Sequence, residues 1–224
     1  MSNSSPDRQV SGDTALVIID MINDLDFEGG RQLQGPAERA ARQIRRLREA
    51  ADAAGVPVVY VNDNFQQWHS ERSRLVEHCD REDSRGRAII AAVRPREDDY
   101  FVIKPQFSGF YATNLPVLFP QLGVSRLILT GVAADICILF TAADAHMREY
   151  RLWVPADCVA SEDEQRTEWA LEIMRGSMSA ETRPTSELPL ADWIAESGNG
   201  PSTKEQTDEP QALGTEPGRL SGKP

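Results

Sequence analysis

The run Thr14–Asp20 (TALVIID) constrains the fold of this 224-residue chain most, because it sets five consecutive apolar residues between a threonine and an acid. A strand with one wet face alternates apolar and polar residues. A continuous run is instead a strand buried on both faces, as in a parallel sheet covered by helices. The pattern recurs at Pro57–Val61 (PVVYV), Tyr100–Ile103, Arg126–Thr130 (RLILT) and Leu152–Val154, and Met178–Glu181 reads as a short sixth strand. Between the strands, Ala40, Ile44 and Leu47 have helical spacing within 36–54, and Gly55 ends that helix. Further helices are expected from Ala134 to Glu149 and from Glu164 to Arg175. Strands alternating with helices predict an α/β fold of three layers, α/β/α, around a parallel sheet. Such sheets bind ligands beyond the carboxyl ends of their strands, where Asp20, Asp63, Lys104 and Gly131 stand.

The alternation sets the expected organisation: a flexible N-terminus over 1–12, one domain over 13–195 and a disordered tail over 196–224. The tail is rich in Gly, Pro, Ser, Thr, Glu and Gln and offers little apolar surface to offset its ordering entropy. A net charge of −11 argues against a nucleic-acid partner, which calls for clustered Lys and Arg on one face. Arg39, Arg42, Arg45, Arg46 and Arg48 do cluster, and their spacing around Ile44 and Leu47 reads as a solvated helix face. No apolar run reaches the roughly 20 residues needed to span a bilayer, and the N-terminal segment lacks the apolar stretch of a secretion signal. No membrane partner and a cytoplasmic location are therefore expected. Three widely spaced cysteines, Cys79, Cys137 and Cys158, fit reduced thiols rather than a disulfide framework.

Cys137 follows Gly131 by six residues, placing it in the first turn of the helix after the fourth strand. The positive end of the helix dipole there is expected to lower its pKa, although a buried inert thiol remains the alternative. Cys79 and Cys158 do not start a helix after a strand and read as structural. Lys104 stands out because the other two lysines, Lys204 and Lys223, lie in the expected tail, so the folded part uses arginine everywhere else. A lysine ammonium is a compact point charge that guanidinium does not reproduce. A thiol nucleophile also needs a proton acceptor, and Asp20 is available on another strand rim. His146 lies nine residues beyond Cys137, about 13 Å along a helix, and does not suit that role.

Three segments now carry a resemblance: 16–24 (LVIIDMIND), 104–110 (KPQFSGF) and 130–137 (TGVAADIC). In order and spacing they resemble the signature segments of the isochorismatase-like hydrolases, a family that includes nicotinamidases, N-carbamoylsarcosine amidase and isochorismatase. The resemblance implies a six-stranded parallel, Rossmann-like sheet and a homo-oligomer acting on a small molecule. It implies Cys137 as nucleophile, Asp20 as the group that relays its proton, and Lys104 as their electrostatic support. A cis peptide between Val132 and Ala133 is implied as well, with the amides of Ala133 and Cys137 forming an oxyanion hole.

Nicotinamidases of the family hold a metal through an Asp-x-His pair and a second histidine after the second strand. This chain has Asp63-Asn64-Phe65 instead, so no metal and no cofactor are expected. A set built from Asp63, His69 and His78 is the remaining alternative. Phe65, Trp68, Phe107, Phe110 and Tyr111 lie near the motifs, and Phe65, Trp68, Phe107 and Tyr111 are candidates for a substrate pocket, with core packing as the competing reading. The expected reaction is hydrolysis of a small amide, ureido or lactam C–N bond through a thioester. Vinyl-ether cleavage and a non-catalytic scaffold of the same fold are the alternatives.

Overall fold

The computed structural model describes residues 12–64 and 71–196. Phe65, Trp68, His69, residues 1–11 and the expected tail beyond 196 lie outside the described residues.

The six strands are β1 (Thr14–Ile19), β2 (Val58–Asp63), β3 (Tyr100–Lys104), β4 (Arg126–Val132), β5 (Arg151–Trp153) and β6 (Val159–Ala160). They form one parallel sheet in the order β3-β2-β1-β4-β5, with β6 pairing beside β4. Every residue of β1 and β4 is buried, as continuous apolar runs require when helices cover both faces. The order reverses between β1 and β4, and that switch point opens a crevice at the carboxyl ends.

On one face lie α1 (Gly30–Ala53), α2 (Arg72–Cys79), α3 (Arg87–Val93) and α7 (Leu190–Ala195); on the other lie α4 (Leu115–Gln121), α5 (Leu139–His146) and α6 (Glu164–Met178). Helix α1 begins before its expected start and contains Pro36, which forfeits a helical bond to the Gln32 carbonyl. Burial of Leu33, Ala37, Ala40, Ala41, Ile44, Leu47 and Ala51 along one stripe compensates.

Three expectations change. Met178–Glu181 is not the sixth strand: α6 runs through Met178, and Glu181 makes only a single bridge to Trp153. The sixth strand is Val159–Ala160. Arg48 does not belong to a solvated face; it is buried, donating to Asp99 Oδ2 at 2.6 Å and to the Tyr60 hydroxyl. Its periodicity matches its neighbours, but only a carboxylate from a distant loop could make that burial affordable. Finally, the helix after β4 starts as a π-helix over Ala134–Ile138 and continues as α5, ending before Glu149. Among the described residues no helix is long and apolar enough to cross a membrane.

Candidate active site

Asp20 follows β1 in the left-handed region, at φ 53°, a conformation that aspartate tolerates better than most residues. Its amide donates to the Val61 carbonyl at 2.9 Å, and its Oδ1 accepts the Asp63 amide at 2.7 Å. The next turn is fixed by Asn62, whose side chain accepts the Ile22 amide and donates to the Ile22 carbonyl. Asp20 is thus gripped by the neighbouring strand β2 at its backbone and its carboxylate.

Lys104 ends β3 and is fully enclosed, at 0% exposure. Its Nζ lies 2.9 Å from Asp20 Oδ2, 3.5 Å from Cys137 Sγ and 3.5 Å from Asp63 Oδ2, and it donates to the Gln106 carbonyl at 3.1 Å. The Cys137 sulfur and the Asp20 carboxylate thus share one ammonium, and each raises or lowers the other's affinity for a proton. Asp20 and Lys104 from two strand ends and Cys137 from the turn after β4 therefore meet in one group joined through the Lys104 ammonium.

Cys137 is carried there by the turn after β4. Gly131 has φ +118°, and a Cβ on it would stand 2.0 Å from the Ile19 carbonyl oxygen, so β4 approaches β1 this closely only with glycine. The peptide between Val132 and Ala133 is cis. The Ile138 amide donates to the Ala133 carbonyl at 3.1 Å, a five-residue loop that makes the first turn wider than an α-helix.

The electrostatics differ from the expectation of a depressed thiol pKa. Burial pushes the Cys137 thiol up, and the adjacent Asp20 carboxylate adds to this; Lys104 opposes both without overcoming them. Asp20 is also raised, by burial above all, against the lowering influence of Lys104 and of the Cys137 hydrogen bond. Burial alone would lower the Lys104 ammonium, but Asp20, Cys137 and Asp63 outweigh it and the net shift is upward. Burial thus favours the protonated thiol at Cys137 and the ammonium is held at Lys104, while at Asp20 burial favours the neutral acid against the opposing pull of Lys104.

Phe107 and Tyr111 line an open groove of about 730 Å³ together with Pro105, Gln106, Ser108, Ala112, Phe140 and Asp144. Gln106 joins this groove to the trio through its bond with Lys104. Phe110 points the other way, into the core against Phe119 and Tyr150. Phe140 and Asp144 are missing from the sequence reading. Their spacing of three and seven residues from Cys137 places them on its helix face, a signal that was available.

The alternative metal set is not assembled by the described residues. Asp63 pairs with Lys104, and His78 Nε2 lies 3.0 Å from Asp24 Oδ2. Among the described residues no group of three His, Cys, Asp or Glu side chains has the arrangement to hold an ion.

The profile of the isochorismatase domain matches residues 14–186. The chain belongs to the isochorismatase family. An isochorismatase family protein of Bacillus subtilis strain 168, YaaI, is 40% identical over 169 residues, covering 75% of this chain and 92% of that one. Ureidoacrylate amidohydrolase of Methylorubrum extorquens is 30% identical over 173 residues, 64% of this chain and 68% of its own. The crystal structure of N-carbamoylsarcosine amidase from Thermoplasma acidophilum superposes with a TM-score of 0.61 at 30% identity, covering 79% of this chain and 98% of that one. This isochorismatase family member is accordingly a hydrolase of the wider isochorismatase-like superfamily, with amidohydrolases among its relatives.

Proposed function

We propose that the chain hydrolyses a small amide, ureido or lactam C–N bond through a thioester on Cys137. The observation that carries this is the contact of Lys104 Nζ with both Asp20 Oδ2 (2.9 Å) and Cys137 Sγ (3.5 Å), which brings the carboxylate and the sulfur onto one ammonium. A thiol held protonated by its surroundings is a poor nucleophile, so its proton must leave as the sulfur attacks. Asp20 is the acceptor already in place.

In the first step the sulfur adds to the substrate carbonyl while Asp20 takes the thiol proton. The amides of Ala133 and Cys137 are assigned to the oxyanion. The C–N bond then breaks, and Asp20 passes the proton to the leaving nitrogen, releasing ammonia or an amine and leaving the thioester. Water attacks that carbonyl and gives a proton to Asp20. The C–S bond breaks, the acid product departs, and the proton on Asp20 returns to sulfur. Lys104 balances the negative charge that moves between Asp20 and Cys137. The groove beside Gln106 would receive the rest of the substrate, with Phe107 and Tyr111 against its apolar part.

Similarity to an N-carbamoylsarcosine amidase and a ureidoacrylate amidohydrolase supports a ureido or amide substrate. The raised pKa of Asp20 also suits it to donate a proton, which favours vinyl-ether cleavage as the second reading. A panel of amides, ureides and vinyl ethers assayed for ammonia separates the two. Cys137→Ala is expected to abolish ammonia release with an unchanged thermal melt, and a substrate-derived acyl adduct on Cys137 should be trapped by acid quench and mass spectrometry. Undiminished turnover by Cys137→Ala would remove the thioester route.

A further inference from the structure

A second set of contacts, outside the trio, holds the turn that carries Cys137. Asp135 stands in that turn, two residues after Ala133 and two before Cys137, the residues whose amides are assigned to the oxyanion. Ser161 Oγ donates to Asp135 Oδ1 at 2.6 Å and accepts the Asp135 amide at 3.3 Å. Arg166 Nη2 lies 2.6 Å from the other carboxylate oxygen, and its Nη1 lies 3.7 Å from Glu162. Ser161 is 1% exposed and follows β6 directly. That short strand pairs Val159 with Gly131 and Ala160 with Val132, the last two residues of β4. The Ser161 amide donates to Thr167 Oγ1 at 2.9 Å, so the first turn of α6 holds it from another element. An acid in the first turn of a helix, paired with an arginine, is ordinary on a surface. Here a buried hydroxyl bonds both the carboxylate and the amide of one residue, which fixes the backbone as well as the side chain.

We propose that Ser161 is a positioning residue for the oxyanion amides: through Asp135 it sets the path of the chain between Ala133 and Cys137, and Arg166 completes the grip. The inference rests on the thioester reading and concerns the carbonyl side of that reaction. The Ala133 carbonyl accepts the Ile136 and Ile138 amides at 3.2 and 3.1 Å. Both bonds are internal to the turn and leave its orientation against the sheet to other contacts. Ser161 supplies such a contact from β6, beside the strand end from which the turn departs. A donor stabilises a developing oxyanion only at the right distance, and a displacement of about 1 Å can cost on the order of a hundredfold in rate. The sulfur has its own support in Lys104 Nζ at 3.5 Å, which comes from β3 and does not pass through Ser161.

On the best amide or ureide substrate, Ser161→Ala is expected to lower kcat by ~10- to 100-fold with KM within about threefold of wild type. Iodoacetamide should alkylate Cys137 at a rate within about twofold of wild type across pH, because alkylation forms no oxyanion. Ser161→Thr keeps the hydroxyl and should restore most of kcat, since Ser161 lines a cleft of about 450 Å³ between α1 and α6 that offers room for the methyl. Arg166→Gln, at a half-exposed position, should lower kcat by about threefold to tenfold in the same pattern, and it carries the test if Ser161→Ala does not fold. Wild-type kcat in folded Ser161→Ala, or in Arg166→Gln in its place, overturns the proposal. So does an alkylation rate that falls as far as kcat, which would place the effect at sulfur. Failure of the thioester reading is distinct, because it shows in the wild type as turnover without an acyl adduct on Cys137.

Discussion

Lys104 has no room to be replaced by the residue this chain otherwise prefers. Its ammonium is enclosed and touches Asp20, Cys137, Asp63 and the Gln106 carbonyl within 3.5 Å. A guanidinium is planar and wider, so it would push one partner out of hydrogen-bond reach, and a displacement of about 1 Å can cost on the order of a hundredfold in rate. Lys104→Arg is therefore expected to lose kcat/KM by ~100-fold, close to Lys104→Ala. Retention of more than about a tenth of wild-type activity would reduce position 104 to general positive charge. Asp20 makes a second prediction with a sign. Its carboxylate is one of the causes that hold the Cys137 thiol up. Removing that negative charge stabilises the thiolate, so Asp20→Asn should move the alkylation profile of Cys137 to lower pH even as hydrolysis is lost. Wild-type activity should fall on the acid side as Asp20 takes up a proton, at a pH above the ordinary carboxylate range because burial raises it. An alkylation profile that moves to higher pH in Asp20→Asn would contradict the charge arrangement.

At the scale of elements, the site depends on how two segments after strand ends are held together. The segment after β3 donates its Gly109 amide to Thr141 Oγ1 at 2.9 Å, and Ser108 Oγ donates to Asp144. Thr141 and Asp144 lie four and seven residues after Cys137, on the helix that carries the nucleophile. These bonds join the Lys104 segment to the Cys137 segment, making Thr141 a positioning residue rather than one that touches substrate. Thr141→Val keeps the shape but leaves the buried Gly109 amide without its acceptor, which should cost ~1–3 kcal/mol of stability. The expected readouts are a lower thermal midpoint and a reduced kcat with the pH profile shifted, and Thr141→Ser should restore both in large part. Equal kcat in wild type and Thr141→Val would make the bond merely structural. Here the sequence was legible only in part. The strand ends that carry Asp20, Lys104 and Gly131 followed from apolar runs, since a run must stop where the chain leaves the sheet. The bonds from Thr141, Asp144 and Asn62 link residues 32 to 40 positions apart, and no local period records them. The π-turn at Cys137 was hidden for another reason. It is set by the Ala133 carbonyl, whereas the spacing of apolar residues there reads as an ordinary helix.

Across the whole molecule, the parallel sheet and its layers followed from burial, because a strand covered on both faces has few ways to be written. The short strand β6 and the helices α2, α3 and α4 did not, since elements of two to eight residues carry too few periods to distinguish. The same weakness affects the segment after β2, where substrate choice would be expected and where Phe65 and Trp68 lie outside the described residues. What the sheet does place there is Asp63, in register with Lys104 on β3 and with its Oδ2 3.5 Å from the ammonium. That pairing bears on the last prediction. A carboxylate at this strand end can help hold a divalent ion when two histidines converge with it, yet Asp63 faces a lysine and His78 faces Asp24. A cation beside Asp63 would stand close to the Lys104 ammonium and be repelled by it, so the lysine already supplies the positive charge that the site's carboxylates require. Activity on the best amide or ureide substrate is thus expected to survive dialysis against a chelator, with kcat/KM within about twofold of the untreated enzyme, under ~0.5 kcal/mol of transition-state stabilisation. Loss of activity restored by zinc, iron or manganese would show that a histidine reaches Asp63, and would reassign the carboxylate from lysine partner to metal ligand.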